Sequence, residues 1–268
     1  MIKRTMTGIV ITAVVYFVIV FSHIPQVMLY ATAILSAAAV LEIFNATGKN
    51  RNKGLKYGCA IAGIILTILP VPQYEMLLRI LFPLSVALFG WMMVRQQHCT
   101  YDRQWKTVLT ALVVVLLLQA IPQLRKMEYG LYYLLMAVTL CFVTDVAAYL
   151  IGSRFGNHKL IPKVSPNKTW EGSIAGVAAS VLTMLLFGWW WKANGMGSCS
   201  NLILYAVTAS VAGQFGDLAM SIVKRIGGVK DFGTLLPGHG GILDRFDSHL
   251  FCIAYTLLYC TLSGGYLA

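Results

Sequence analysis

The chain has 268 residues, of which 58% are hydrophobic and only 12% charged, with a mean hydropathy of +0.72. Soluble domains carry about 25% charged residues, so this composition excludes a soluble globular protein and is better counted in membrane spans of roughly 20 apolar residues. The formal charge of +11 does not point to nucleic acid, because the basic residues fall in short clusters between apolar stretches, where they report orientation and lipid contact.

In chain order, Lys3 and Arg4 precede the uncharged run Thr5–Ser22. It resembles a signal peptide but lacks a small-x-small cleavage site and is long enough to span, so a retained first helix is expected. Further uncharged windows follow at Val27–Asn45, Leu55–Pro72, Glu75–Val94, Trp105–Leu124, Leu131–Ile151, Gly172–Trp191, Leu202–Val223 and Ser248–Leu267. Lipid leaves backbone groups no outside partner, and these runs far exceed the strands of about ten residues found in membrane barrels. The expected fold class is therefore all-α, a polytopic integral membrane protein of about nine transmembrane helices.

Nine spans put the termini on opposite sides. With the N-terminus cytoplasmic and the C-terminus outside, Arg125, Lys126 and Lys192 fall outside, Arg79 lies within a span, and every other Lys and Arg is cytoplasmic. Cytoplasmic enrichment of these two residues is what sets orientation. The six cysteines, Cys59, Cys99, Cys141, Cys199, Cys252 and Cys260, show neither a CxxC pair nor zinc-site spacing and are expected to be packing thiols. No internal repeat is visible.

Asp145 and Asp217 fall inside expected spans, where an ionised carboxylate costs on the order of 2.5–3.5 kcal/mol. At about 1.5 Å per residue both lie roughly 21–23 Å along helices running from outside to inside, so they reach the same depth, near the cytoplasmic surface. Asp244 and Asp247 share one face if a helix starts at Leu243. Such a group of carboxylates suits a hard cation whose shell is completed by phosphates. Structural ion pairs with Lys or Arg, or a proton relay, remain alternatives. Glu42, near the inner end of its span, reads as a snorkelling or helix-capping residue.

The two longest cytoplasmic loops hold most of the remaining polar groups. The first contains Gly156-Asn-His158-Lys159-Leu-Ile-Pro162-Lys163-Val-Ser165-Pro166-Asn-Lys168-Thr169-Trp170-Glu171-Gly172. The second runs from Ser221-Ile-Val-Lys224-Arg225 through Lys230-Asp231-Phe-Gly233 to Leu236-Pro237-Gly238-His239-Gly240-Gly241-Ile-Leu-Asp244-Arg245-Phe-Asp247. Both stretches resemble the hallmark sequences of the phosphatidate cytidylyltransferase (CDP-diacylglycerol synthase) family. The resemblance is firm over about residues 140–250 and rests on hydropathy before that.

The resemblance implies an enzyme of the cell membrane, its active site facing the cytoplasm, that converts CTP and phosphatidic acid to CDP-diacylglycerol and pyrophosphate. Helices over 1–104 would form an N-terminal region and 105–268 the catalytic region of one integral unit. Mg²⁺ would be the cofactor, with room for a second, monovalent cation such as K⁺. Asp217 and Asp244 would be the principal metal ligands, with Asp145 and Asp247 in support and Lys168 in the catalytic set. Lys163, Ser165, Thr169, Glu171, Ser221, Lys224, Arg225, Lys230, His239, Gly240, Gly241 and Arg245 would bind substrate. Membrane lipids are the surroundings, a homodimer is left open, and no nucleic acid is expected.

Elementary chemistry agrees with that picture. CTP and phosphatidate bring several negative charges together, and Lys163, Lys168, Lys224, Arg225, Lys230 and Arg245 supply countercharge. The turn Gly238–Gly241 permits close approach of backbone N–H groups to phosphate, or makes a tight helix entry. Ser165, Thr169 and Ser221 either bind phosphate or cap helices, and His239 suits a hydrogen-bonding role better than that of a base. No Walker A sequence is present. Two other classes stay in view: a CTP-dependent polyprenol or phytol kinase, and a cation-coupled transporter, which would explain buried aspartates but not the dense basic loops.

Overall fold

The computed structural model describes residues 17–47, 53–69, 71, 73–94, 103–194, 201–236 and 240–263. A short 3₁₀ turn, Phe21–His23, leads into helices α1 (Pro25–Thr47), α2 (Lys53–Ile68), α3 (Tyr74–Val94), α4 (Arg103–Leu118), α5 (Ala120–Arg125) and α6 (Gly130–Phe155). Two strands, β1 (Lys159–Ile161) and β2 (Ser165–Thr169), precede α7 (Trp170–Ala193), α8 (Leu202–Gly227) and α9 (Leu243–Leu262). The chain is thus a helical, polytopic membrane protein, and its described residues include a small hairpin. Each expected span from Val27–Asn45 onward overlaps one of these helices, while most of Thr5–Ser22 lies outside the described residues. Among the described residues, six helical stretches are long and apolar enough to cross a membrane: Pro25–Thr47, Tyr74–Val94, Trp105–Arg125, Gly130–Phe155, Trp170–Ala193 and Leu202–Gly227.

The break between α4 and α5 has a local cause. Pro122 has no N–H, and its ring crowds the carbonyl of Leu118, so the helix is interrupted there. Gln119 sits at the interruption, where its side-chain Nε2 donates to the Leu66 carbonyl at 2.6 Å and ties the kink to α2. α9 runs through the middle of the bundle, packed on α8, α6, α5, α4 and α3. Phe251 on α9, fully buried, meets the rings of Phe82, Phe89 and Phe215 edge-on.

α6 and α7 meet along a seam of small residues spaced four apart: Gly172, Gly176 and Ser180 on α7 against Gly152, Ala148 and Thr144 on α6. A Cβ at Gly176 would lie 2.9 Å from the Thr144 carbonyl oxygen, and one at Gly172 would lie 2.6 Å from that of Ala148. Between membrane helices, where burying apolar surface gains little over lipid, such close backbone approach and interhelical hydrogen bonds supply the association. Thr144 Oγ1 stands 2.6 Å from Ser180 Oγ and 3.1 Å from Ser210 Oγ. Gln214 Nε2 extends the chain to Ser210 and to the Ser173 carbonyl, and the Ser173 hydroxyl donates back to Gln214 Oε1.

The hairpin is antiparallel, pairing Lys159 with Thr169 and Ile161 with Ser165, with a bulge between. Pro166 cannot donate to a ladder, and it falls within the bulged stretch, where that loss is tolerated. The far end of the α6–α7 pair carries an aromatic cluster, with Trp191 packed against Tyr129, Tyr132, Tyr133 and Phe187.

Replacing Gly176 by Leu must open the α6–α7 seam, and overpacking of this kind costs about 1–3 kcal/mol. The expected outcome is a lower thermal unfolding midpoint of the detergent-solubilised protein. An unchanged midpoint would remove the seam from the account of stability.

Candidate active site

The hairpin and the α8–α9 loop come together at one end of the bundle. The hairpin is held by three contacts. Val164, at its turn, is fully buried, and the Arg225 guanidinium Nε donates to the Val164 carbonyl at 3.2 Å. Lys168 on β2 places its ammonium 2.5 Å from Asp217 Oδ2 on α8, a pair about one-quarter exposed on each side. Thr169 ends β2 and caps α7, its hydroxyl accepting from the Gly172 N–H at 3.2 Å.

The second loop is organised around Asp244, whose side chain is 5% exposed. The Lys224 ammonium donates to its Oδ1 at 2.9 Å, and the Phe232 and Gly241 N–H groups donate to its Oδ2 at 2.8 and 2.9 Å. A carboxylate at the N-terminus of α9 also meets the positive end of the helix dipole. Lys224 lies 3.9 Å from Asp247 Oδ2 and 5.3 Å above the Phe232 ring. Gly240 takes a positive φ of 84° in the turn that brings Gly241 back onto Asp244.

Asp145 and Asp247 complete the acidic group. The Ser248 hydroxyl donates to Asp145 Oδ2 at 3.1 Å, and the Ser248 N–H donates to Asp247 Oδ1 at 2.9 Å. Asp217 stands near enough to Asp145 and Asp247 for their like charges to repel. Gly216 makes this possible, because a Cβ there would meet the Asp247 carbonyl at 2.8 Å, so only glycine lets α8 and α9 approach closely beside Asp217.

The expected site residues divide accordingly. Asp145, Lys168, Asp217, Lys224, Asp244 and Asp247 form one charged cluster. Ser221 borders it, with its hydroxyl 3.5 Å from Asp217 Oδ1, beyond a good hydrogen bond. Thr169 serves as a cap and Arg225 as a brace, since its Nη1 also donates to the Val229 carbonyl at 3.2 Å. Glu171 faces His158, accepting from its backbone N–H at 3.1 Å with the ring Nδ1 at 2.7 Å. Lys163, Lys230 and Arg245 are exposed around the rim, Ser165 opens β2, and Gly240 and Gly241 form the turn. His239 lies outside the described residues. Sequence reasoning passed over Ser248, the anchor of Asp145, whose signal was its place beside Asp247 in the first turns of a span.

Among the described residues no three carboxylate, imidazole or thiol groups converge on one point as ion ligands. The available donors are carboxylate oxygens, the type a hard divalent cation takes. Lys168 and Lys224 pair with Asp217 and Asp244, and the carboxylate oxygens of this group are of the type such a cation would take.

Removing one partner of a buried ion pair strands the other and costs about 3–5 kcal/mol. Lys224→Met is therefore expected to destabilise the protein strongly, and adding Asp244→Asn should recover part of the loss. A chemical-denaturation series in detergent checks this, and a Lys224→Met variant as stable as wild type would contradict it.

Paired lysines and aspartates at one end of an apolar helical bundle, beside a glycine-containing turn, describe a membrane enzyme that handles phosphorylated substrates. The profile of the cytidylyltransferase family matches residues 2–263. The chain is 33% identical over 258 residues to the phosphatidate cytidylyltransferase of Staphylococcus aureus (strain COL), covering 93% of this chain and 95% of that one. It is 30% identical over 267 residues to the phosphatidate cytidylyltransferase of Bacillus subtilis (strain 168), covering 94% and 95%. Over 124 residues, 46% of this chain and 47% of the other, it is 45% identical to the phosphatidate cytidylyltransferase of Staphylococcus haemolyticus (strain JCSC1435). The chain belongs to the cytidylyltransferase family.

Proposed function

We propose that this protein is a phosphatidate cytidylyltransferase, joining CTP and phosphatidate to give CDP-diacylglycerol and pyrophosphate in phospholipid synthesis. The observation that carries the reading is the Lys168–Asp217 and Lys224–Asp244 cluster, in a chain that matches named phosphatidate cytidylyltransferases over nearly its whole length.

A phosphate oxygen of phosphatidate attacks the α-phosphorus of CTP, the bond from that phosphorus to the bridging oxygen breaks, and pyrophosphate leaves. The nucleophile is already an anion at neutral pH, so the site needs alignment and charge neutralisation more than a base. Lys168 and Lys224 meet the substrate phosphates, with Lys163, Lys230 and Arg245 adding countercharge from the rim. Asp217 and Asp244, with Asp145 and Asp247 beside them, are the residues that would hold Mg²⁺, which would neutralise triphosphate charge there. Helices over 1–104 support the catalytic region over 105–268 within one integral unit.

Labelled CTP and phosphatidic acid supplied to the purified protein in liposomes should give CDP-lipid and pyrophosphate, in a Mg²⁺-dependent manner. CDP and a lipid phosphate would instead identify a CTP-dependent lipid kinase. Asp217→Asn is expected to abolish turnover, a loss of at least about a hundredfold, while membrane insertion stays normal, since removing charge from a spanning segment does not hinder insertion. Near wild-type turnover in that variant would sink the role of Asp217.

The same reading places nine spans in the cell membrane, with the hairpin and the α8–α9 loop facing the cytoplasm, where CTP is found. α6, at 26 residues, is long enough to separate exposed Asn157 from exposed Glu128 by the full bilayer. With Cys199 changed to Ser, a cysteine at Asn157 or Thr234 should react with an impermeant thiol reagent only after the membrane is opened. One at Glu128 or Asn194 should react in intact cells. Labelling of position 157 or 234 in intact cells would overturn both the orientation and the cytoplasmic use of CTP.

A further inference from the structure

Among the described residues, the helices before residue 104 bring the charged side chain of Glu42 to the neighbourhood of the site. Glu42 lies near the C-terminal end of α1 and is only 4% exposed. It forms no ion pair with a lysine or arginine among the described residues. Both its oxygens are used on the α8–α9 loop: the Ile242 N–H donates to Oε1 at 2.8 Å and the Leu243 N–H to Oε2 at 2.8 Å.

These are the last backbone groups before Asp244, and they belong to the exposed donors at the start of α9. The loop comes unusually close to reach them, because a Cβ at Gly241 would lie 2.6 Å from Glu42 Oε2. The other end of the loop presses on the same helix, where a Cβ at Gly227 would lie 2.2 Å from the Ala46 carbonyl oxygen. One turn of α1 therefore grips the loop where it leaves α8 and where it enters α9.

We propose that Glu42 is a positioning residue for the reaction: its carboxylate fixes the backbone from Gly241 to Leu243 and thereby sets where Asp244 and Asp247 stand opposite Asp217. Glu42 touches neither substrate, and it acts through the loop. This inference rests on the cytidylyltransferase reading for its catalytic consequence, whereas the clamp itself is a property of the fold.

The test uses Glu42→Gln, Glu42→Ala, Gly241→Ala and the double variant Glu42→Ala with Gly241→Ala in full-length protein. Glu42→Gln keeps the shape but turns one acceptor into a donor facing an N–H. It is expected to lower kcat roughly ten- to a hundredfold, the factor carried by a lost charge-assisted hydrogen bond. KM for CTP should change less than about threefold, and the kcat loss should persist at temperatures well below the variant's unfolding midpoint. Gly241→Ala should give a similar loss, and the double variant should be no worse than the more severe single one, because both break the same contact.

Independently of activity, hydrogen exchange of the segment 240–246 should rise by about tenfold or more in Glu42→Ala. Where that variant does not accumulate, Glu42→Gln carries the same measurement. Unchanged exchange, full kcat, additive losses in the double variant, or a kcat loss that merely follows a fallen unfolding midpoint would each overturn the proposal. If wild-type protein made no CDP-lipid, the functional reading would fail while the exchange result still judged the clamp.

Discussion

Charge inside a lipid-spanning bundle must be neutralised where it sits, and the architecture of the site follows from that constraint. Four aspartates stand on or at the ends of apolar helices, where each isolated charge would cost several kcal/mol. Lys168 answers Asp217, and Lys224 answers Asp244 while remaining near Asp247. Among the described residues no lysine is in direct contact with Asp145, which leans on the Ser248 hydroxyl instead. The two lysines come from different polar segments, so neutralising the acids draws the hairpin and the end of α8 into one place. The hairpin would otherwise be a three-residue strand paired with a five-residue strand, too small to hold itself.

The seam between α6 and α7 serves the same end. Small residues let the two backbones approach, and Thr144, Ser180 and Ser210 satisfy one another in the interior. Asp145 follows Thr144 directly, so the network that locks α6 against α7 and α8 also fixes the depth of that carboxylate. Gly216 does the equivalent for α8 and α9 beside Asp217. Packing and chemistry here are not separate layers: the contacts at Thr144 and at Gly216 each stand one residue from an acidic side chain, Asp145 and Asp217.

Long apolar runs made the helices legible, because hydropathy over about 20 residues is a strong signal. The interruption at Gln119 was not visible as a break in hydropathy, although Pro122 supplies its cause. The hairpin was hidden because β1 has only three residues and β2 is polar and contains Pro166, which argue against strands by length and propensity. The similar depth of Asp145 and Asp217 could be counted along two helices, but the partners that hold each of them, Ser248 and Lys168, could not. The roles of Thr169 and Arg225 could not be chosen from sequence, since a hydroxyl that caps and one that binds phosphate look alike until the helix start is known. Glu42 was recognised as a possible cap, but the helix it caps begins 200 residues away, and nothing local in the chain reports such a partner.

That long-range cap changes how the N-terminal helices relate to the rest. Loops in membrane proteins need their backbone groups satisfied, and a glycine-rich turn has few side chains with which to do so. Gly240 and Gly241 allow the chain to turn sharply above Asp244, but the same glycines leave the turn conformationally free. Asp244 satisfies two N–H groups from within the loop, and Glu42 satisfies the next two from outside it. A loop tied only to itself would keep its shape yet could shift as a unit relative to Asp217. Anchoring it to α1, which also packs on α8, removes that freedom and makes the distance across the acidic cluster a property of the whole bundle.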